Sequence, residues 1–421
     1  MTAEVVILNK SGIALAADSA VSIGTKKVYN SANKLFALSR NQPVGIMIYG
    51  NAEFMSVPWE ALIKSFRKKV LKDDVCPKLD GYVQRFIEFL TTTPLIPPEN
   101  EPVYVASVTH RCAFALIREI DTQVEEEIKS KGSITHAHAK KISNATAKAW
   151  IERQNAEPAK PRQRCTKAQL ARIPAAHLPA IEAQALKLLG PSGITQTQCQ
   201  KFAQCVSREL GFADGNFMRS GVVIAGYGDE EIFPSAFSYH VSGRLGDFLQ
   251  CSLDRQSIVN HKMQGGIMPF AQREMVDMFM SGVAPAMAHG IEAGLNRIFS
   301  SIPDRLVSKH GLALSSGQID AIKADLNSLL GEFGAELGKA TRDKFSQPVL
   351  DGVSSLPIDE LASMAESLVS LTSFKRKVTM VPESVGGPVD VAVISKGDGF
   401  IWIKRKHYFK AELNHQYFRG C

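Results

Sequence analysis

Thr2 stands directly after Met1, and a side chain this small in second place is what removal of an N-terminal methionine requires. Removal would leave a free α-amine beside the threonine's own hydroxyl. An α-amine titrates near pH ~7.7–8.0, so close to neutrality it can accept the hydroxyl proton, directly or through water. Asp18 lies 16 residues after Thr2, in Leu15-Ala16-Ala17-Asp18-Ser19, and Lys34 lies 32 residues after it, in Asn33-Lys34-Leu35-Phe36. A lysine buried beside the threonine would favour the deprotonated amine and the alkoxide, and an aspartate would hold that ammonium in place. Gly50 ends the apolar run Val44–Tyr49 and could offer its backbone N–H to a tetrahedral oxyanion. Together these residue types suit acyl transfer through a threonine ester.

Other chemistries have less support in the sequence. The seven cysteines are scattered with no C-x-x-C, and Cys199 and Cys205 have poor spacing for a metal. His136 and His138 stand two apart, a spacing that does not share a helix face. No metal and no cofactor is therefore expected. The formal charge of +7 comes from 49 basic and 42 acidic residues mixed along the chain. The short basic stretches at 160–167, 374–377 and 404–407 lack interleaved aromatics, so no nucleic-acid partner is expected. No apolar run approaches the ~20 residues that span a bilayer, and Met1-Thr2-Ala3-Glu4 has no signal-peptide layout. The expectation is a cytoplasmic protein with no membrane partner.

The elements that must position the threonine begin with two apolar runs, Glu4 to Lys10 and Ile13 to Ala17, joined at Ser11-Gly12. Further strands are predicted near 26–29, 34–38 and 44–49. From Trp59 the period changes: Trp59, Leu62, Ile63, Phe66 and Val70 predict a helix with one buried face. Residues 94–102 form a proline-rich break, 103–121 suit strand or helix, and 122–153 read as helix. Residues 156–179 read as a linker and 181–189 as a short helix. Strand character returns at Gly221 to Tyr227 and, after a polar turn, at Ile232 to Val241. Three helical stripes follow, carried by Met275, Phe279 and Val283, by Ile319, Ile322, Leu326, Leu329 and Phe333, and by Leu361, Ala365, Leu368 and Thr372; all three predict core. A last hairpin pairs 389–395 with 400–404.

Taken in register, Thr2, Asp18 within Leu-Ala-Ala-Asp-Ser, Lys34 within Asn-x-x-Lys-Leu-Phe, and a strand ending in glycine resemble the proteasome β-subunit family of N-terminal-nucleophile hydrolases. Val222 to Gly228 and Phe237 to Gly243 are similar to that family's central hairpin. Ser384 to Ile394 most resembles the bacterial Anbu branch of proteasome relatives. The resemblance implies an α+β fold, a four-layer αββα sandwich of two antiparallel sheets between helical layers. It covers core blocks 2–55, 218–300 and 361–404 of a single domain, 1–421. Residues 56–217 form an enlarged, mainly helical insertion and 301–360 a helical extension.

The resemblance also implies roles. Thr2 would be the nucleophile, Asp18 and Lys34 its supports, and Gly50 the oxyanion N–H. The family's Arg-Asp-x-x-Ser-Gly segment corresponds to 381–387, where Ser384 could support the amine but the Asp has no counterpart. The family's second serine has no match in Gln264-Gly265-Gly266. The implied function is an N-terminal threonine amidohydrolase, a proteasome-like peptidase acting through an acyl-enzyme on a peptide or protein, in a homo-oligomeric ring or stack. Two alternatives stay open: a noncatalytic ring or assembly subunit, and a small-molecule amidase on the same fold.

Overall fold

The computed structural model describes residues 2–23, 27–29, 32–72, 74–156, 165–215, 219–379, 386–407 and 409–414. The chain divides into two compact units. The first comprises Met1–Leu35, Ile232–Ser235 and Ser257–Cys421, and the second Phe36–Glu231 and Ala236–Gln256. Each carries a five-stranded antiparallel sheet and its own helices, so the protein is of the mixed α+β class expected from the sequence.

In the first unit the sheet runs in the order Gly265–Ala271, Ala3–Asn9, Gly12–Ala17, Asp390–Ser395, Gly399–Lys404. The strands Ala3–Asn9 and Gly12–Ala17 pair with Glu4 opposite Ala17 and Asn9 opposite Gly12. The turn between them is therefore Lys10-Ser11, one residue earlier than the sequence pattern placed it. Asn9 explains the shift: its buried carboxamide oxygen accepts from Ser11 N at 2.8 Å and Gly12 N at 3.3 Å, an Asx-type turn. Its amide donates to Val353 O and Leu356 O, both at 2.8 Å, tying the hairpin to the end of the helix Gln347–Ser355. Gly12 has no room for a side chain, since a Cβ there would stand 2.5 Å from Ile358 Cδ1 and 2.7 Å from Ile394 O.

Strand alternation sends Ala3, Val5, Ile7, Ala14, Ala16, Val391 and Val393 to one face of this sheet. There they meet Leu361, Ala365, Leu368 and Val369 of the helix Ile358–Val378. The predicted stripe over 361–372 is thus core, each buried leucine contributing roughly 1.5–3 kcal/mol. Val6, Leu8, Ile13 and Leu15, on the opposite face, are equally buried. Both faces are apolar, which is why this segment reads as continuous hydrophobic runs and not as a clean alternation.

The other two stripes differ from expectation. Met275 is buried, but Phe279 and Val283 are exposed. The stripe over 319–333 lies on the helix Ser316–Thr341, in which no described residue is buried; Leu329 and Phe333 are about half exposed. Helical periodicity defines an apolar face and says nothing of whether another element covers it. Two basic stretches carry ion pairs: Lys375 with Glu274 at 2.7 Å, Lys404 with Glu366 at 2.5 Å, and Lys406 with the buried Asp390. Most of the stretch at 160–167 lies outside the described residues.

In the second unit the sheet order is Phe248–Ile258, Ser235–Leu245, Ser220–Gly226, Val44–Tyr49, Leu35–Ala37. Ile46 faces Ile224 and Ile48 faces Val222. The strand Phe248–Ile258, and Gly265–Ala271 in the first unit, escaped the sequence reading because polar residues interrupt the one and Gly and Pro the other. The helical insertion is observed as Trp59–Ser65, Leu79–Thr92, Asn100–Lys131, His136–Asn155, Lys167–Leu189 and Gln196–Glu209. The ambiguous stretch 103–121 is helix.

The expected linker at 156–179 is instead largely helix from Lys167. Thr166 starts it with a capping box shared with Gln169, and the helix continues through Pro174 and Pro179. Trp59, Leu62, Ile63 and Phe66 are buried as expected, but Leu71 replaces Val70 in the core. A π-helical turn over Phe66–Leu71 holds an extra residue and moves the buried face one position on.

Candidate active site

Three of the residues singled out by spacing come together in the first unit. Lys34 Nζ donates to Thr2 Oγ1 at 3.0 Å and to Asp18 Oδ1 at 2.7 Å. All three are buried: Thr2 is 4% exposed, Asp18 1% and Lys34 5%. Out of water, a charge-assisted hydrogen bond is roughly twice as strong as a neutral one. The Lys34 ammonium therefore acts on the threonine oxygen as a fixed, unscreened charge.

The strands dictate this convergence. Thr2 immediately precedes Ala3–Asn9, and Asp18 immediately follows Gly12–Ala17, its partner across the hairpin. The two-residue turn fixes the register, and the register puts Asp18 beside the start of the first strand. Asp18 N donates to Ala3 O at 3.1 Å, and Ala3 N donates to Asp18 Oδ1 at 3.0 Å, so Ala3, next to Thr2, is held through both its carbonyl and its N–H. On the other flank Gln272 N donates to Thr2 O at 2.9 Å. Thr2 is thereby fixed through its backbone before its side chain is considered.

Asp18 does more than pair with Lys34. Its Oδ2 accepts from Ala20 N at 3.2 Å and from Gly386 N at 3.0 Å. With Lys34 and Ala3 on Oδ1, four donors surround one carboxylate. Ser19 extends the tie, its N–H donating to Gly386 O at 3.2 Å and its hydroxyl to Pro388 O. A carboxylate so fully satisfied is a rigid post for the ammonium.

Gly50 belongs to the second unit. It has φ +89°, and a Cβ there would stand 2.7 Å from Arg219 O, so glycine is required by local backbone geometry. Ser384 lies outside the described residues. His136 opens a helix, and His138 Nε2 lies 3.0 Å from Glu127 Oε1. Among the described residues no cluster of His, Cys, Asp or Glu could hold a metal ion, and no helix is long and apolar enough to cross a membrane.

The sequence reading passed over one residue of this neighbourhood. Glu4 is 1% exposed, and neither carboxyl oxygen has a hydrogen-bond partner among the described residues. Burial pushes its carboxyl well above the usual range, against the pull of the Lys34 ammonium, with the Asp18 carboxylate adding to the upward push. The sequence shows only a glutamate two residues from Thr2 that opens the run Val5-Val6-Ile7-Leu8, with no sign of whether a partner meets it.

No family model matches the chain, and neither does any curated protein. Several solved structures are similar to it. A Gly-1 mutant of Anbu from Hyphomicrobium sp. strain MC1 shares 8% identity with a TM-score of 0.29, over 100% of this chain and 94% of that one. Anbu, an ancestral beta-subunit, from Yersinia bercovieri shares 9% with a TM-score of 0.28, over 99% and 94%. The helical assembly of the Anbu complex from Pseudomonas aeruginosa shares 8% with a TM-score of 0.32, over 99% and 93%. Values this low lend no weight to an activity, and the functional reading rests on side-chain geometry.

Proposed function

We propose that the protein is an N-terminal threonine amidohydrolase, proteasome-like in mechanism, acting on peptides or proteins. The observation that carries this reading is one buried lysine, Lys34, hydrogen-bonded at once to Thr2 Oγ1 (3.0 Å) and Asp18 Oδ1 (2.7 Å). With Met1 removed, the Thr2 amine takes the hydroxyl proton as Oγ1 attacks the substrate carbonyl carbon. Lys34 stabilises the negative charge gathering on Oγ1, and Asp18 holds Lys34 in place. The tetrahedral intermediate collapses, the C–N bond breaks, and the leaving amine carries off the proton held by the Thr2 ammonium. Water then attacks the threonine ester with the same amine as base, releasing the acid and restoring Thr2. Metal and cofactor have no part in this sequence. The backbone grip on Thr2 supports it physically, since a pre-positioned nucleophile avoids much of the orientational cost of the step.

Gly50 as the oxyanion N–H and Ser384 as a support for the amine remain roles that the resemblance suggests. Assembly into a homo-oligomer is a further part of the proposal, and a native mass of one chain would overturn it. One observation favours the noncatalytic alternative: Thr2 is only 4% exposed, as suits residues kept for structure. The deciding experiment uses protein whose N-terminal residue has been read by mass spectrometry. A β-lactone probe is expected to acylate Thr2, and Thr2→Ala should lose both labelling and peptide hydrolysis by about a thousandfold or more. Amide hydrolysis undiminished in Thr2→Ala would sink the mechanism. Absence of labelling in protein with a free Thr2 amine would favour the noncatalytic subunit.

A further inference from the structure

Glu4 is a buried carboxyl for which the mechanism above has no use. Its neighbours across the sheet, Ala17 and Phe270, are apolar. Ala3 and Val5 face the helix Ile358–Val378, so alternation places Glu4 on the opposite face, the one it shares with Thr2. Lys34 Nζ, on Thr2 Oγ1, reaches the same region. Lys34 and Asp18 are the charged groups among the described residues that act on Glu4. Lys34 is already committed to Thr2 and Asp18, and Glu4 makes no hydrogen bond to it.

A buried carboxylate without a partner is among the costliest groups a fold can hold, and such a group takes up a proton instead. Buried polar atoms with no partner are also rare in folded proteins. A valine would fill this strand position without the cost. We propose that Glu4 is a positioning residue of the candidate site: an uncharged carboxyl behind Lys34 that leaves the ammonium to Thr2 and Asp18. The proposal rests on the hydrolase reading above.

Its consequence follows from charge. While the carboxyl holds its proton, Lys34 has one anionic partner, Asp18, and a free direction toward Thr2. Once the proton leaves, a second carboxylate competes for the same ammonium. The hydrogen bond from Lys34 to Thr2 is then weakened or lost, and the nucleophile loses its electrostatic support.

The isosteric variant Glu4→Gln removes the titration and keeps the volume. Two measurements on full-length wild type and variant test the proposal. In infrared difference spectra at neutral pH, wild type should show a protonated-carboxyl C=O band that Glu4→Gln lacks. The rate of Thr2 acylation by a β-lactone probe should then be followed from neutral pH upward, to the highest pH at which both proteins stay folded. In wild type the rate relative to Glu4→Gln should fall by roughly tenfold or more on the alkaline side, the scale of one lost charge-assisted hydrogen bond. The sign follows from linkage: a carboxyl whose folded-state pKa is raised is neutral below that value and becomes charged as pH rises through it.

Absence of the band from wild type would overturn the proposal. So would matching pH profiles in a wild type that is labelled, and that result would leave the hydrolase reading standing. A wild type labelled at no pH, with a free Thr2 amine, would bring down the hydrolase reading and the positioning role together.

Discussion

Lys34 joins two groups that have no direct hydrogen bond to each other, the Thr2 hydroxyl and the Asp18 carboxylate, and its own side chain is only 6% exposed. Removing it should act on stability and chemistry together. In Lys34→Met the Asp18 carboxylate keeps the N–H groups of Ala3, Ala20 and Gly386 but loses its only cationic partner among the described residues. A broken buried ion pair costs about 3–5 kcal/mol, and the three remaining donors place the expected loss near about 3. Chemical denaturation reads that quantity directly. Probe labelling of Thr2 in the folded variant should slow by about a hundredfold or more, the scale on which one donor to a developing oxyanion acts. A variant as stable as wild type and labelled as fast would show that Lys34 is incidental. Thr2 and Asp18 were legible from the sequence because a short strand, a tight turn and a second strand relate them, and Lys34 because it stands 32 residues after Thr2, in Asn33-Lys34-Leu35-Phe36. Glu4 was not, because one carboxyl in an apolar run looks the same whether a partner meets it or not.

The first hairpin is the element that sets the site, and its register depends on Asn9. The side chain bonds two N–H groups of its own turn and two carbonyls, Val353 O and Leu356 O, at the end of a helix more than 340 residues away. Asn9→Ala would leave the buried Gly12 N–H and Val353 carbonyl, and the part-buried Ser11 N–H and Leu356 carbonyl, without this partner. The expected cost is about 2 kcal/mol or more, read as a lower urea midpoint with an unchanged slope. An unchanged midpoint would mean that water replaces the carboxamide at no loss. The strands of this hairpin were readable from their apolar runs, and the turn was misplaced by one residue. Apolar pattern marks where strands lie, whereas turn position depends on which side chain satisfies the freed N–H groups. The same limit explains the helix Lys167–Leu189: its proline and alanine content suggested a linker, while its capping box and its burial of Ile173, Ile181, Ala185 and Leu189 hold it as helix.

Across the whole molecule, burial is unevenly shared. Ala3–Asn9 and Gly12–Ala17 are buried throughout, whereas no described residue of Ser316–Thr341 is buried, although that helix is 26 residues long. Amide protection follows the free energy of local opening, which rises with buried contact. Hydrogen exchange followed by mass spectrometry should therefore leave 3–17 among the slowest peptides and 316–341 among the fastest. Equal protection in the two segments would mean that the long helix is covered in solution.

The sequence by itself determined which residue types could serve acyl transfer and their spacing, the α+β class, and the strands that Thr2 and Asp18 flank. Those features are local, since a period of two, a tight turn and the spacing of Asp18 and Lys34 from Thr2 act within a few tens of residues. Only the tertiary structure decided that Gly386, 368 residues from Asp18, donates to its carboxylate, that Glu4 meets no hydrogen-bond partner among the described residues, and that one apolar stripe is core while another is open to solvent. Each of these depends on which distant segments meet, and the free energy of such a meeting is a property of both surfaces together.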